Sequence, residues 1–277
     1  MLSKIRVYNE LDEYVDIHVG RPPSGVGFYV RSIDGVGPTK AEISHGEYSL
    51  VPGGSFRSST VGLRNMTIDV GFNPSYASNQ TPEDMRKILY KIANPEELVR
   101  VRFYHDDSYT YWIDGYVETH EPLIFSKDMG STIGILCMNP YFKGSLLNEV
   151  DSTSGVTFNV DHLGDVEHGF DITVTMTPTS NMSSFSISNQ LTGDKITLNR
   201  AGTGHGEIFR INTILGSKQF DRVNSSGTVQ ENLIGYVTTV GGWPSLRKGV
   251  NPLRVDLSVG GTGATVAMSY RNYYGGI

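Results

Sequence analysis

One cysteine, Cys137, is all the thiol that the 277 residues provide, so no disulfide can form within the chain. It lies in the apolar run 133–138, where a free cysteine packs as a small hydrophobe. A reactive thiolate needs a basic or helix-terminal setting, and the flanking sequence offers neither. No stretch of about 18 apolar residues occurs, which excludes a membrane-spanning helix. The first six residues lead straight into strand-like alternation, without the apolar segment and cleavage site of a secretory leader; the expectation is a chain made in the cytosol. Basic residues are scarce: 23 Lys and Arg against 29 Asp and Glu give a net charge of −6, spread along the chain. No basic run is available to neutralise phosphates, which argues against nucleic acid as a primary ligand.

Catalytic and ligand motifs are equally sparse. Seven histidines are scattered, and none pairs with another at the spacing of a zinc-binding HxH or HExxH motif. There is no Gly-x-Ser-x-Gly nucleophile elbow. The glycine-rich stretch 202–206 lacks the Lys-Ser/Thr that a phosphate-cradling loop requires, and reads as a turn. Asp114, Glu118 and Glu121 are close in sequence. On a strand, however, Asp114 and Glu118 would stand about 13 Å apart at ~3.3 Å per residue. That is too far for two carboxylates acting on one glycosidic bond. The richest local ligand set is Asp161-His162-Leu163-Gly164-Asp165-Val166-Glu167-His168, which reads as a polar loop, with calcium binding by its oxygens as the alternative. The expectation is no enzyme, no cofactor and no metal.

What is abundant is glycine, 32 residues placed between short alternating runs, the composition of a turn-rich β chain. In Tyr14-Val15-Asp16-Ile17-His18-Val19, period-two alternation puts Val15, Ile17 and Val19 on one face. Further strands are expected at 4–8, 63–72, 98–105 and 110–119, the last two joined by a turn at 106–109. The glycine- and serine-rich segment 51–59 reads as a loop. One helix is expected over 81–93: Thr81 supplies an N-cap, Pro82 the first helical position and Glu83-Asp84 a first-turn negative charge. Met85, Ile88, Leu89 and Ile92 form its apolar stripe. The apolar run ends at Asn139-Pro140, where proline cannot continue a central ladder. Beyond Phe142, turn signals recur about every ten residues between short runs, the pattern of an all-β sandwich. Two domains follow, 1–145 and 146–277. In the second, Tyr236, Trp243, Tyr270, Tyr273 and Tyr274 are candidates for stacking on sugars, with core packing as the competing role. Trp243 and Tyr236 are the candidate glycan contacts.

Four segments of the first half then carry a resemblance. They are Arg64 leading Met66-Thr67-Ile68-Asp69, the capped helix followed by Asn94-Pro95-Glu96-Glu97-Leu98, the strand Tyr111-Trp112-Ile113-Asp114-Gly115-Tyr116-Val117, and Ile133-Gly134-Ile135-Leu136-Cys137-Met138-Asn139-Pro140-Tyr141-Phe142. The last is closely similar to a "Cys, any residue, Asp or Asn, Pro, Tyr, Phe" signature. Together they resemble the distal tail proteins of long-tailed bacteriophages, the siphophage tail-component family. The second half is similar more loosely, in Trp243-Pro244-Ser245-Leu246-Arg247-Lys248-Gly249-Val250-Asn251, where Lys248 replaces a usual proline, and in the ending Tyr270–Ile277 of tyrosines and glycines. The resemblance implies a mostly β fold, with an N-terminal belt domain containing one α-helix and a C-terminal galectin-like β-sandwich. It implies a homo-hexameric ring at the distal end of the phage tail, assembled in the host cytoplasm and built into the virion. The ring's partners would be the tail tube protein, the tape-measure protein and the tail-associated lysin or hub protein. The alternative function is a carbohydrate-binding adhesin that contacts host cell-wall glycans.

Overall fold

A computed structural model describes residues 2–75, 80–106, 108–124, 129–176, 181–182, 184–199, 203–204, 206–258 and 264–277. The chain divides into two compact units, Met1–Ser145 together with Tyr274–Ile277, and Leu146–Tyr273. The described residues contain strands and one α-helix.

The first unit is built from β1 (Leu2–Tyr8), β2 (Tyr14–Val19), β3 (Gly27–Asp34), β4 (Ala41–Glu47), β5 (Gly54–Val61) and β6 (Arg64–Asn73). After the helix α1 (Pro82–Ile92) come β7 (Leu98–His105), β8 (Ser108–Leu123), β9 (Gly130–Cys137) and the start of β10 (Phe142–Thr153). Seven strands pair in the order β8-β7-β1-β2-β3-β6-β9, and β9 pairs back onto β8. The sheet therefore closes into a barrel, which removes its exposed edges. Closure depends on the 16-residue strand β8. Its first half pairs with β7 and its second half with β9, the two halves meeting at Tyr116. Glycine is required there: a Cβ on Gly115 would lie 2.6 Å from Ile135 Cγ2 and 2.9 Å from Cys137 Sγ. Cys137 itself is buried, and burial pushes its thiol up to about 11.

Alternation fills the barrel. Ile5, Val7, Ile17, Val101, Ile113 and Ile135 point inward and are buried. The helix α1 packs onto the same core through Met85, Leu89 and Ile92. Its start carries a capping box, with Thr81 Oγ1 accepting from the Asp84 amide at 3.2 Å and the Asp84 carboxylate accepting from the Thr81 amide at 3.1 Å. Ile88, expected in the apolar stripe, is 41% exposed. At ~100° per residue it falls about 60° to one side of Met85, outside the arc that Leu89 and Ile92 share.

The second unit contains β11 (Thr157–His162), β12 (Asp171–Met176), β13 (Asn181–Met182), β14 (Ser184–Asn189), β15 (Lys195–Leu198) and β16 (Thr203–Gly204). β17 (Ile208–Asn212), β18 (Gln219–Val223), β19 (Val229–Asn232), β20 (Val237–Val240), β21 (Gly249–Ser258) and β22 (Ala264–Tyr274) complete it. One sheet has the order β19-β18-β17-β12-β22, and the other β11-β21-β14-β15-β20. Ile172 and Val174 of the first sheet share one buried cluster with Ile187 and Leu253 of the second. Two sheets burying their inner faces against each other make a sandwich.

Candidate interaction surfaces

The four segments singled out in the first half do not assemble a catalytic centre. Two of them, together with the C-terminal residues, converge on Arg64. This side chain is 2% exposed and faces no carboxylate among the described residues. Its guanidinium instead donates to four carbonyl oxygens, those of Gly35, Gly37 (2.8 Å), Pro140 (2.6 Å) and Gly275. It lies 4.5 Å from the Phe142 ring centroid. Burial pushes its pKa down from the usual arginine range. A planar fork of five N–H groups can satisfy several fixed carbonyls at once, which a lysine cannot. The Asn139-Pro140-Tyr141-Phe142 turn and the glycine-rich C-terminus are thus both clamped to the start of β6.

The outer face of β2, β1, β7 and β8 and the beginning of β10 carries a ladder of cations and rings. One cross-strand row reads Asp16, Arg6, Arg102, Trp112, Lys143. The next reads Tyr14, Tyr8, Arg100, Asp114. Directly opposed residues are the unit of sheet-face interaction. Arg6 and Lys4 both donate to Asp16, Arg6 Nη2 at 2.9 Å and Lys4 Nζ at 3.1 Å. Burial alone would raise the Asp16 carboxyl, but these bonds outweigh it and hold it below the usual carboxylate range. Arg100 and Lys143 share Asp114 in the same way, at 2.8 and 3.2 Å. Asp114, considered as a catalytic carboxylate from sequence, is therefore an ion-pair centre. The cations lie over rings: Arg6 on Tyr14 (3.9 Å), Lys143 and Arg100 on Trp112 (4.2 and 4.5 Å), and Arg102 on Tyr8 (4.4 Å).

A third feature is the hairpin of β4 and β5, which forms its own two-stranded sheet. All eight residues of β5 and six of the seven in β4 are exposed. Ile43 is 60% exposed and Phe56 69% exposed, while Leu50 and Val51 at the tip are exposed as well. Segment 51–59, expected as a loop, contributes six of its residues, 54–59, to strand β5, because backbone pairing with β4 satisfies its amides where side-chain burial does not.

The five aromatics considered for sugar stacking do not share one environment. Tyr270 and Tyr273 are buried at 7% and 8% exposure, and the Tyr270 hydroxyl donates to the Asp161 carbonyl at 2.9 Å. Tyr274 belongs to the first unit and meets Tyr111 edge to face. Trp243 is half-buried against the sandwich core, with Lys218 5.6 Å from its ring. Tyr236 ends a short 3-10 turn, Ile234–Tyr236, and is half exposed. The turn 243–251 is organised by Asn251, fully buried, which donates to the Arg247 and Gly249 carbonyls, both at 2.7 Å. In the polar segment 161–168, Glu167 accepts from Arg247 Nε at 3.1 Å and the Asp165 amide donates to the Tyr273 carbonyl at 3.1 Å. His162 is 1% exposed, neither ring nitrogen has a hydrogen-bond partner, and burial pushes its pKa down. Among the described residues no three His, Cys, Asp or Glu side chains are grouped to hold a metal ion.

No protein-family model matches the chain, and no curated protein matches its sequence. A solved structure does match along almost the whole length. It is the SPP1 Dit protein (gp 19.1), a paradigm of the hub adsorption apparatus in phages infecting Gram-positive bacteria. The two are 13% identical with a TM-score of 0.64, and the match covers 96% of this chain and 98% of that one. This chain has the Dit fold. Two chains of the phage P2 baseplate in its activated conformation also align, one with Ca (10% identical, TM-score 0.46, covering 97% and 98%) and one with Sr (9%, 0.46, 98% and 98%).

Within this Dit fold, sequence reading found the segments but not what joins them. Arg64 was legible as the head of a strand; its acceptors are carbonyls 27 to 211 residues away, and a carbonyl leaves no mark in sequence. The ladder was missed because its cations come from three strands, β1, β7 and β10, separated by turns and a helix, so no basic run exists. The one available signal was the repetition of Arg, Tyr and Trp at alternate positions of β1, β7 and β8.

Proposed function

We propose that the chain is a structural hub of a long-tailed phage, a homo-hexameric ring at the distal end of the tail. The ring joins the tail tube to the tip and its adsorption apparatus, with the tail tube, tape-measure and tail-associated lysin or hub proteins as neighbours. The observation that carries this reading is the Dit fold over nearly the full chain. The exposed arm of β4 and β5 supports it. A lone two-stranded hairpin is marginal in water, and exposed Ile43 and Phe56 gain burial only against another surface. Two open strand edges on the arm suit pairing with the next subunit, and repeated head-to-tail contacts close into a ring. The chemistry is that of a scaffold rather than an enzyme, with the polar clusters of the first unit engaged in internal clamps and ion pairs. Antibody against this chain should label the distal end of tails in electron micrographs of the parent virion. Label along the tube or on the capsid would refute the assignment.

A further inference from the structure

We propose that the cation and aromatic ladder of the first unit docks an acidic protein surface. Five cations, Lys4, Arg6, Arg100, Arg102 and Lys143, stand on this face with two carboxylates, Asp16 and Asp114. The patch thus carries a positive surplus on a chain whose net charge is −6. Four of the cations share the two carboxylates. Arg102 has none among the described residues, and donates to the Tyr8 hydroxyl at 3.2 Å. Its position at the centre of the row, between Arg6 and Trp112, leaves the surplus charge in the middle of the face. Charge complementarity therefore selects an anionic occupant.

The composition of the face selects protein. Arg, Tyr and Trp are the residue types that dominate binding energy at protein interfaces. Here the guanidiniums are already laid over rings, so docking orders few further side chains. A guanidinium fork donates two parallel hydrogen bonds to a carboxylate. Beside the ladder, a hollow of about 160 Å³ lined by Leu98, Ile113, Tyr116, Met138 and Tyr141 offers a socket for an apolar anchor of a partner. A nucleic-acid backbone suits the face less well. Asp16 and Asp114 would stand against its phosphates, and flat-lying cations paired to them release few counterions.

The test is titration of the full chain with poly(L-glutamate), using a Trp243→Phe background so that Trp112, beneath two of the cations, is the sole tryptophan reporter. Saturable quenching or enhancement is expected. Arg102→Glu should weaken binding at least about tenfold, and Arg102→Gln, milder for folding, about threefold, each with an unchanged melting temperature. Lys195→Glu in the second unit should leave binding unchanged. Absence of saturable binding, insensitivity to both Arg102 substitutions, or tighter binding of double-stranded DNA than of poly(L-glutamate) would overturn the proposal. So would loss of the oligomer in Arg102→Gln, because the occupant would then be a second copy. The inference goes beyond the ring reading: a chain that stays monomeric yet binds poly(L-glutamate) through Arg102 would sink only the ring.

Discussion

Arg64 and His162 show how two buried polar side chains of similar exposure act in opposite ways. Arg64 converts burial into order, because its guanidinium ties together carbonyls on three segments of the chain. Replacing it by methionine keeps the volume of the stem but removes all four of those hydrogen bonds. Arg64→Met should cost about 3 kcal/mol or more, given ~1.5–3 kcal/mol for each hydrogen bond to a charged group, read as a lower denaturant midpoint at constant slope. Arg64→Lys should recover only a minor part, since one ammonium cannot span carbonyls on three segments. His162 has no such partners, and burial holds it neutral. Its folded pKa lies below the unfolded value of about 6.5, so as pH falls the unfolded chain takes up a proton that the folded chain resists. Its contribution is present above pH ~6.5 and is lost as pH falls through the folded value, by up to ~1.4 kcal/mol per pH unit. His18 and His120 are also depressed by burial, so the difference between wild type and His162→Leu isolates this site. The melting temperature of wild type relative to that of His162→Leu should fall below pH 6. A constant gap would contradict the assignment.

At the scale of elements, α1 was legible because its determinants are local: the Thr81 cap, Pro82 and the apolar stripe lie within a dozen residues. What sequence spacing could not settle was the width of that stripe. Leu89→Asp should unfold the first unit, whereas Ile88→Asp, at a position 41% exposed, should change stability by less than about 1 kcal/mol. Equal losses in thermal melts would show that the helix packs differently. The arm of β4 and β5 was not legible, because a strand buried on neither face has no reason to alternate, and serine and glycine in β5 read as loop. Excising residues 42–60 with a short glycine linker should leave the melting temperature within a few degrees, since the arm's strands are exposed. Assembly should be abolished. A deletion that assembles normally would assign the contact to another surface.

For the molecule as a whole, the mostly β architecture could be read from glycine spacing and from the hard stop at Asn139-Pro140, while closure of the first sheet into a barrel could not. Closure rests on one glycine and a long strand that changes partner near Tyr116, and neither has a periodic signature. The sandwich was legible as turn-punctuated short strands, yet the fate of its aromatics was not: burial of Tyr270 and Tyr273 follows from pairing and packing partners distant in sequence. The central claim is that copies of this chain build a ring. Light scattering of the purified chain over rising concentration tests it most directly. The predicted particle has a mass of about 182 kDa, six times the 30.4 kDa chain. A mass that stays at 30.4 kDa across the whole range would contradict it.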